Sequence, residues 1–158
     1  MHVWLVRHAL AADREKFRGP DTERPLTDKG RRRFRRFSRW LLEQTAPPDL
    51  ILSSPLLRTA QTAQILAKSC GLKRAGLQYT DLLAPGTDPR EVLSFLCDRA
   101  VERVALVGHE PDLGTMLSLL IGGGSIPFGK GFVAAVEFHS LPPAGDGQLL
   151  WFVGPKFA

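Results

Sequence analysis

Apolar residues along the chain follow two patterns that alternate from the N-terminus to the C-terminus. Short continuous apolar segments are typical of buried strands, and longer segments with an apolar residue every three or four positions are typical of amphipathic helices. These patterns predict strands at residues 2–6, 49–53, 77–80, 102–108, 132–139 and 148–153. They predict helices at about residues 28–44, 55–69, 88–99 and 111–120.

Residues that favour helix ends support these bounds. Thr27 or Asp28 can accept hydrogen bonds from the first turn of the first helix, and Pro47-Pro48 stops its continuation. Pro55 suits the first turn of the second helix, because the proline ring already has a helical φ. Gly71 suits the end of that helix, because glycine adopts left-handed backbone without strain.

The alternation of strands and helices indicates an α/β protein. We predict a three-layer α/β/α sandwich around a mostly parallel sheet of about six strands. The last two strands are joined by a short segment rich in Pro and Gly, so we expect them to pair antiparallel at one side of the sheet. The length of 158 residues fits a single domain over residues 1–158.

The first predicted helix contains much of the positive charge of the chain. The sequence has 21 Lys and Arg residues against 16 Asp and Glu residues, a net charge of +5. At about 100° per residue, Phe34, Phe37 and Leu41 fall on one side of this helix. The opposite side carries four arginines: Arg32, Arg35, Arg36 and Arg39. This basic side is either a solvated helix face or a surface for an acidic protein or a nucleic acid.

Several classes of protein are disfavoured. No RNA-stacking motif accompanies the basic helix face, so we expect no nucleic-acid partner. The longest apolar run, at Met116–Ile121, is too short to span a bilayer, and the N-terminus lacks the pattern of a signal peptide. We therefore expect a cytoplasmic protein without a membrane partner. Cys70 and Cys97 lack metal-binding spacing and are expected to be reduced, partly buried thiols, and we expect no metal and no other cofactor.

The segment GSIPFGKG, residues 124–131, is nearly a nucleotide-binding P-loop but has Gly131 where the motif requires Ser or Thr. It follows a predicted helix and precedes a predicted strand, which is the reverse of a P-loop, and Pro127 removes a backbone donor. We therefore expect a connector that binds no nucleotide. A sharper hypothesis makes it a wall of the substrate entrance, with Lys130 or Phe128 contacting a partner protein.

Polar residues with catalytic potential follow three of the predicted strands. Arg7-His8 ends the first strand, Arg58 lies about one turn into the helix after the second, and His109 ends the fourth. Ligands of open parallel sheets bind beyond the carboxyl ends of the strands, so these four residues can converge in one crevice. No carboxylate is adjacent to Arg7 or Arg58 in sequence, and a guanidinium near a core needs an anionic partner. That leaves room for an external anion.

Two arginines and two histidines suit a phosphoryl group. The guanidinium fork matches phosphate oxygens, and a neutral histidine can attack phosphorus to form a covalent intermediate. A second, protonated histidine can stabilise charge on the equatorial oxygens. The predicted helix that starts near Glu110-Pro111 adds backbone donors and the positive end of its dipole.

The stretches LVRHALA, SSPLLRTAQTA and VALVGHEPDLG, in this order, resemble the histidine phosphatase superfamily, also called phosphoglycerate-mutase-like. The hallmark of that family is an Arg-His pair after the first strand, commonly followed by Gly, where this chain has Ala9. The short length and the stretch RPLTDKG, residues 24–30, are most similar to the SixA-type phosphohistidine phosphatases. The resemblance covers essentially the whole chain and implies a phosphoglycerate-mutase-like fold and phosphatase activity.

The resemblance also implies roles for individual residues. It implies that His8 is the nucleophile and becomes phosphorylated on a ring nitrogen. Arg7, Arg58 and His109 would form the phosphate site, and the backbone amide of Glu110 would complete it.

The proton donor is less well defined by the resemblance. Many family members use a Glu or Asp to protonate the leaving oxygen, and the candidates here are Asp21 and Asp81. Either of these residues can instead be a loop or cap residue. SixA-type enzymes are expected to manage without a strong acid, because imidazole is easier to expel than an alkoxide. Arg24 matches the arginine of the RPLT stretch and is expected close to the site.

The leading hypothesis is a metal-independent phosphatase that acts on phosphohistidine in a partner protein, such as a histidine phosphotransfer domain or a phosphocarrier. Little chain is left for a substrate lid, and the basic helix face can steer an acidic phosphotransfer domain. Three alternatives stay open: a phosphatase of small esters such as a phosphorylated sugar or acid, a binding module without turnover, and a nucleic-acid-binding protein. Serine hydrolase chemistry is disfavoured, because Ser53-Ser54-Pro55 lacks the G-x-S-x-G motif.

Overall fold

Six strands and four α-helices make up the regular structure in a computed structural model of the protein, which describes residues 1–97, 101–138 and 146–158. The strands are β1 His2–Arg7, β2 Leu50–Ser53, β3 Leu77–Tyr79, β4 Arg103–Gly108, β5 Val133–Glu137 and β6 Gln148–Val153. The helices are α1 Asp28–Gln44, α2 Leu57–Cys70, α3 Pro89–Cys97 and α4 Asp112–Leu120.

The strands form one sheet in the order β3-β2-β4-β1-β5-β6. The first four strands in this order are parallel, whereas β5 runs antiparallel to both of its neighbours, β1 and β6. This arrangement confirms the predicted mostly parallel sheet with an antiparallel pair at one side. In this order, the parallel strands β2, β4 and β1 are adjacent in the centre of the sheet, so their carboxyl ends lie side by side.

The helices cover both faces of the sheet, which confirms the predicted three layers. Side chains of β1 alternate between the faces, as the period of a strand requires. Val3 and Leu5 belong to a core with α3 and α4, and Trp4 and Val6 belong to a second core with α1 and α2. The apolar positions of the sequence are therefore divided between two cores by strand and helix periodicity.

The ends of the helices largely follow the predicted capping residues. Thr27 Oγ1 accepts a hydrogen bond from the Gly30 amide at 2.9 Å, and Gly71 ends α2 with a φ of 68°. Helix α2 begins at Leu57 rather than at Pro55, because Leu56 keeps extended backbone. The predicted ends of α3 at Arg99 and of β5 at His139 lie outside the described residues.

The two sides of α1 are arranged as its periodicity predicts. Phe34, Phe37 and Leu41 are buried against the sheet. The four arginines of the opposite side are exposed: Arg32, Arg35, Arg36 and Arg39. Burial of the aromatic and leucine side chains stabilises the position of α1, and the arginines remain available to solvent or to a partner.

Neither a membrane-spanning helix nor a disulfide occurs in the described part of the chain. No helix there is long and apolar enough to cross a bilayer. Cys70 and Cys97 are free and partly buried, as predicted. Burial raises the pKa of the Cys70 thiol to about 11, so this side chain is protonated and unreactive at neutral pH.

Gly30 allows α1 to approach the loop that follows β1. A Cβ atom at this position would lie 2.1 Å from the carbonyl oxygen of Leu10, which already accepts hydrogen bonds from the amide and the hydroxyl of Thr27. We expect Gly30→Ala to lower the free energy of unfolding by about 2 kcal/mol or more, although Ala favours helix, because backbone must move to make room. Urea denaturation measures the change.

Gly19→Ala is the matched control, because the new Cβ would meet only the ring of Phe17, a side chain that can rotate away. Equal stability of the Gly30→Ala variant and the wild type would show that this close contact does not constrain α1.

Candidate active site

The four residues predicted to converge do so at the carboxyl ends of three central strands. Arg7 ends β1 opposite Gly108 of β4, and His8 and His109 follow directly. The chain after β2 passes through Ser54 into α2, which places Arg58 in the first turn of that helix. The imidazole rings of His8 and His109 lie with their centroids 5.5 Å apart.

His8 is held with one ring nitrogen committed to a hydrogen bond. Its Nδ1 lies 2.8 Å from the carbonyl oxygen of Ala9, and a carbonyl oxygen only accepts, so Nδ1 carries the proton. The neutral imidazole then has its lone pair on Nε2. The His8 amide donates to Gly108 and the His8 carbonyl accepts from Gly131, so the backbone on both sides of the ring is fixed.

His109 contacts a residue that the sequence analysis did not assign to the site. Its Nε2 lies 2.9 Å from Ser54 Oγ, and both side chains are buried. This contact joins the end of β4 to the end of β2. Thr62 makes a similar link, because its hydroxyl accepts from the Ala9 amide at 3.1 Å and donates to the Arg58 carbonyl at 2.7 Å.

Both histidines are neutral at pH 7 in the protein. Burial lowers the pKa of His8 to about 4, and the charges of Arg58 and Arg7 contribute in the same direction. Burial and the charge of Arg58 lower the pKa of His109 to about 3. A neutral His8 fits the predicted nucleophile. A bound phosphoryl group would favour protonation of His109, and its protonated state during phosphoryl transfer stays a prediction.

The depressed histidine pKa values predict a loss of stability in acid. Histidines of the unfolded chain titrate near pH 6.5, so between this value and about 4 the unfolded state binds protons that the folded state does not. The free energy of unfolding should therefore fall as the pH falls through this range. Over this pH range, we expect the free energy of unfolding of His8→Gln to fall by on the order of 2 kcal/mol less than that of the wild type. Urea denaturation at several pH values measures this difference, and parallel curves for the two proteins would contradict it.

Arg58 has a carboxylate partner inside the chain, although no carboxylate is adjacent to it in sequence. Its guanidinium lies 3.1 Å from Asp21 Oδ2 and donates to the Asp21 carbonyl at 2.8 Å. Asp21 also accepts a hydrogen bond from Arg24 Nε at 2.8 Å. The loop before α1 therefore folds back onto α2, and Arg24 lies near the site as predicted.

Asp21 is poorly suited to the predicted role of proton donor. Burial alone would raise the pKa of its carboxyl, but the hydrogen bond from Arg24 and the charge of Arg58 outweigh it and lower the pKa below its ordinary value. The group is therefore ionised at neutral pH and has no proton to donate. Its position makes it an internal anion that compensates two arginines.

Asp81, the other candidate acid, is exposed in a short 3-10 turn after β3. Within the described structure, Asp81 forms hydrogen bonds with its backbone carbonyl oxygen. This oxygen accepts from the Ala84 amide at 2.9 Å and from Thr87 Oγ1 at 3.1 Å. These contacts stabilise the turn. They do not orient the carboxylate, and the acid role of Asp81 stays a prediction.

Arg7 is fixed by the connector that the sequence analysis singled out. One terminal nitrogen of its guanidinium donates a hydrogen bond to the carbonyl of Phe128. Burial lowers the pKa of Arg7, and the nearby carboxylate of Glu110 opposes that shift. The Nε atoms of Arg7 and Arg58 are buried without a hydrogen-bond partner among the described residues. Each guanidinium therefore keeps donor capacity in the site.

The side chain of Glu110 makes contacts that the sequence did not predict, and the implied role of its backbone amide stays a prediction. Its Oε1 accepts from the Phe128 amide at 2.8 Å, and its Oε2 accepts from the Gly114 amide at 3.0 Å. The carboxylate therefore caps the first turn of α4 and anchors the connector. Since Phe128 in turn holds Arg7, Glu110 helps to position that guanidinium.

A cleft of about 680 Å³ opens beside His8. Four cationic residues line it: Arg7, Arg14, Arg24 and Lys130. Lys130 is exposed at its entrance, in agreement with the hypothesis for the connector. Phe128 is buried at 2% exposure within the core next to α4, so the hypothesis that Phe128 contacts a partner protein is wrong.

Arg14 was missed in the sequence because it lies in a polar loop without a motif. Ser54 and Thr62 belong to the stretch SSPLLRTAQTA, which was recognised for Arg58 alone. The position of Thr62 four residues after Arg58 was the available signal for this residue, since residues four apart in a helix lie on one face. Ser54 precedes the helix and had no such signal. Within the described ranges, no group of three or more His, Cys, Asp or Glu side chains is arranged to hold a metal ion.

Comparison with known proteins places these residues in a family. Residues 3–83 match the model of the histidine phosphatase superfamily, branch 1. An uncharacterized protein of Picosynechococcus sp. is 38% identical over 99% of this chain and 98% of its own length. The phosphohistidine phosphatase SixA of Escherichia coli is 28% identical over 98% of this chain and 94% of its own length.

A solved structure supports the same assignment. The protein histidine phosphatase SixA complexed with tungstate superimposes with a TM-score of 0.86 at 28% identity, and the match covers 99% of both chains. The predicted phosphoglycerate-mutase-like fold and the similarity to SixA are thereby confirmed. The chain belongs to the histidine phosphatase superfamily and is a phosphatase, a hydrolase of phosphohistidine or phosphate ester bonds.

Proposed function

We propose that the protein removes the phosphoryl group from phosphohistidine in partner proteins, through a covalent phosphohistidine intermediate on His8 and without a metal ion. The observation that carries this proposal is the state of His8. It is buried and neutral, with Nδ1 bound to the Ala9 carbonyl and the Nε2 lone pair free, between Arg7, Arg58 and His109. This is the state that a nucleophilic imidazole requires.

In the first step, the lone pair of His8 Nε2 attacks the phosphorus atom. A new P–N bond forms to His8, the P–N bond of the substrate breaks, and the released imidazole takes a proton from solvent. Arg7 and Arg58 donate hydrogen bonds to the equatorial oxygens, where the charge of the transition state is spread. We assign His109 to the same oxygens, because its ring centroid lies 5.5 Å from that of His8.

In the second step, a water molecule attacks the phosphorus atom of phosphorylated His8. The P–N bond to Nε2 breaks, inorganic phosphate leaves, and His8 returns to its neutral form. The hydrogen bond from Nδ1 to Ala9 supports both steps, because it stabilises the positive charge that develops on the ring when Nε2 is bonded to phosphorus.

The need of the leaving group for an acid favours phosphohistidine over a phosphate ester as the substrate. An alkoxide needs a strong acid to leave, and Asp21 is ionised by its arginine partners. An imidazole leaves more readily, so the site is better equipped for a P–N bond. The similarity to SixA, a phosphohistidine phosphatase in Escherichia coli, and to SixA bound to the oxyanion tungstate agrees with this preference.

The experiment that tests the proposal compares substrates. Initial rates are measured with a histidine-phosphorylated phosphotransfer domain, a histidine-phosphorylated phosphocarrier, and a panel of phosphorylated sugars and acids. We expect kcat/KM to be highest for one of the phosphoproteins, and radioactive phosphate to appear transiently on the wild-type enzyme. A preference for the small esters would contradict the proposed phosphohistidine substrate. The absence of turnover with every substrate tested would indicate a binding module instead.

Lys130 is predicted to contribute to substrate binding but not to the chemical steps. It is exposed at the entrance of the cleft beside His8. We expect Lys130→Ala to raise KM for a phosphoprotein severalfold, because a rim charge attracts the anionic group, with little change in the rate of His8 phosphorylation in a single turnover. Lys29→Ala, an exposed lysine in α1, is the control. Loss of the single-turnover rate would place Lys130 in the catalytic machinery instead.

A further inference from the structure

A second concave surface lies outside the cleft, between the parallel helices α1 and α2. It is a groove of about 540 Å³. All but one of its lining residues are polar or charged; the lining consists of Arg31, Arg35, Arg39, Gln61, Gln64, Ile65, Lys68 and Ser69. The mechanism uses none of these residues.

The charges of this groove are regularly arranged. Arg31, Arg35 and Arg39 are spaced four residues apart, so they form a row along α1 about 12 Å long. Lys68 of α2 faces this row from the other wall. Adjacent like charges on one helix face are destabilising, so the row gives the isolated protein no electrostatic benefit.

These four cations are not neutralised within the chain. None of them forms an ion pair in the part of the protein that the structure describes, and no carboxylate lines the groove. By contrast, Arg90 and Arg103 each lie within 4 Å of a carboxylate, at 3.4 Å from Asp88 and 3.6 Å from Asp49. The groove therefore brings together, on one concave surface, four cations without a carboxylate partner among the described residues.

The groove begins next to the active site. Thr27, which lines the cleft beside His8, accepts a hydrogen bond from the Arg31 amide at 2.9 Å. On the other wall, Gln61 lies one turn after Arg58, and its Oε1 accepts from the Leu26 amide at 2.8 Å. Both helices start at the catalytic edge of the sheet and run away from it. A single partner molecule could thus occupy the groove while its phosphoryl group enters the cleft.

We infer that this groove is a docking site for an acidic surface segment of the phosphohistidine protein, and this inference rests on the proposed function. Carboxylates of the partner pair with the row of arginines and with Lys68, while its phosphohistidine enters the cleft. The amide nitrogen of Gln61 and the amide oxygen of Gln64 add a donor and an acceptor for partner backbone, since Gln61 Oε1 already accepts from Leu26 and Gln64 Nε2 already donates to the Tyr79 hydroxyl.

A protein segment fits the groove better than a nucleic acid. Single-stranded nucleic acids bind where aromatic side chains stack on bases, and the lining has no aromatic residue. The only apolar side chain in the lining is Ile65. Charge complementarity along about two helical turns of α1 is the property that an acidic helix or strand of a partner matches.

The test compares Arg35→Glu/Arg39→Glu with Lys73→Glu/Arg74→Glu. Both double variants change the charge equally, but Lys73 and Arg74 are exposed before β3, away from the groove. Each protein is assayed at low salt with a histidine-phosphorylated phosphotransfer domain of net negative charge and with free phosphohistidine. We expect Arg35→Glu/Arg39→Glu to lower kcat/KM for the phosphoprotein about tenfold or more and to leave hydrolysis of free phosphohistidine unchanged. The difference should vanish at roughly 1 M salt, because the charges are then screened.

Equal effects of the two double variants, or an equal loss with both substrates, would overturn the inference while the proposed function stands. Weaker binding of an RNA oligonucleotide by the groove variant, without a change in phosphoprotein turnover, would also overturn it and assign the groove to nucleic acid. A wild-type protein that does not hydrolyse the phosphoprotein at all would instead contradict the proposed function, and the inference with it.

Discussion

His8→Asn is expected to lower turnover of a phosphohistidine protein at least about a thousandfold, because it removes the nucleophile. The asparagine amide can still donate to the Ala9 carbonyl, as His8 Nδ1 does, so the backbone around residue 8 is kept. The rest of the ring, including the nucleophilic Nε2, is lost. Steady-state assay and labelling with radioactive phosphate measure the effect, and we expect no covalent label on the variant.

The matched control is His2→Asn, which changes a histidine at the opposite end of the same strand. His2 lies 3.3 Å from Glu137 at the amino end of β1 and has no contact with the crevice. We expect wild-type turnover from this variant. Labelling of His8→Asn, or activity above one tenth of the wild type, would show that another group attacks phosphorus.

Arg58→Ala is expected to lower kcat/KM by roughly a hundredfold or more, which corresponds to about 3 kcal/mol of transition-state stabilisation. The residue is 4% exposed, and its guanidinium is held by an ion pair with Asp21. Arg58→Lys should restore only part of the rate, because an ammonium group cannot donate to two oxygens in one plane. Arg32→Ala, an exposed arginine of α1, should retain full activity.

The ion pair with Asp21 complicates this experiment, because Arg58→Ala also leaves a carboxylate beside the phosphate. The double variant Arg58→Ala/Asp21→Asn separates the two effects. If loss of the arginine is what matters, the double variant stays impaired by tenfold or more. Recovery of wild-type kcat/KM in the double variant would mean that repulsion from Asp21, and not loss of Arg58, slows the reaction.

The sequence was sufficient to predict those features that depend on local patterns. The apolar runs located all six strands, Thr27 and Gly71 marked helix ends, and strand ends located the arginines and histidines of the crevice. These features depend on residues close together in the chain, or on the general rule that parallel strands end at one edge.

The features that the sequence did not predict depend on long-range contacts of loops. Asp21 and Arg58 are 37 residues apart, and nothing local indicates that the loop before α1 folds onto α2. The contact between Glu110 and the Phe128 amide spans 18 residues and likewise has no periodic signal. Phe128 was misjudged because it lies in a Gly-rich connector, where an aromatic residue is usually exposed, yet it packs against Phe152 in the core.

The carboxylate of Glu110 has a consequence for how the site can change in evolution. It joins the end of β4, the start of α4 and the connector before β5, and through Phe128 it reaches Arg7. A shorter side chain at position 110 could not reach both amides, so the connector would need a different length or another anchor. Position 110 and the connector are therefore expected to covary among relatives. The exposed part of the connector, around Lys130, is free to diverge and adapt the entrance to new partners.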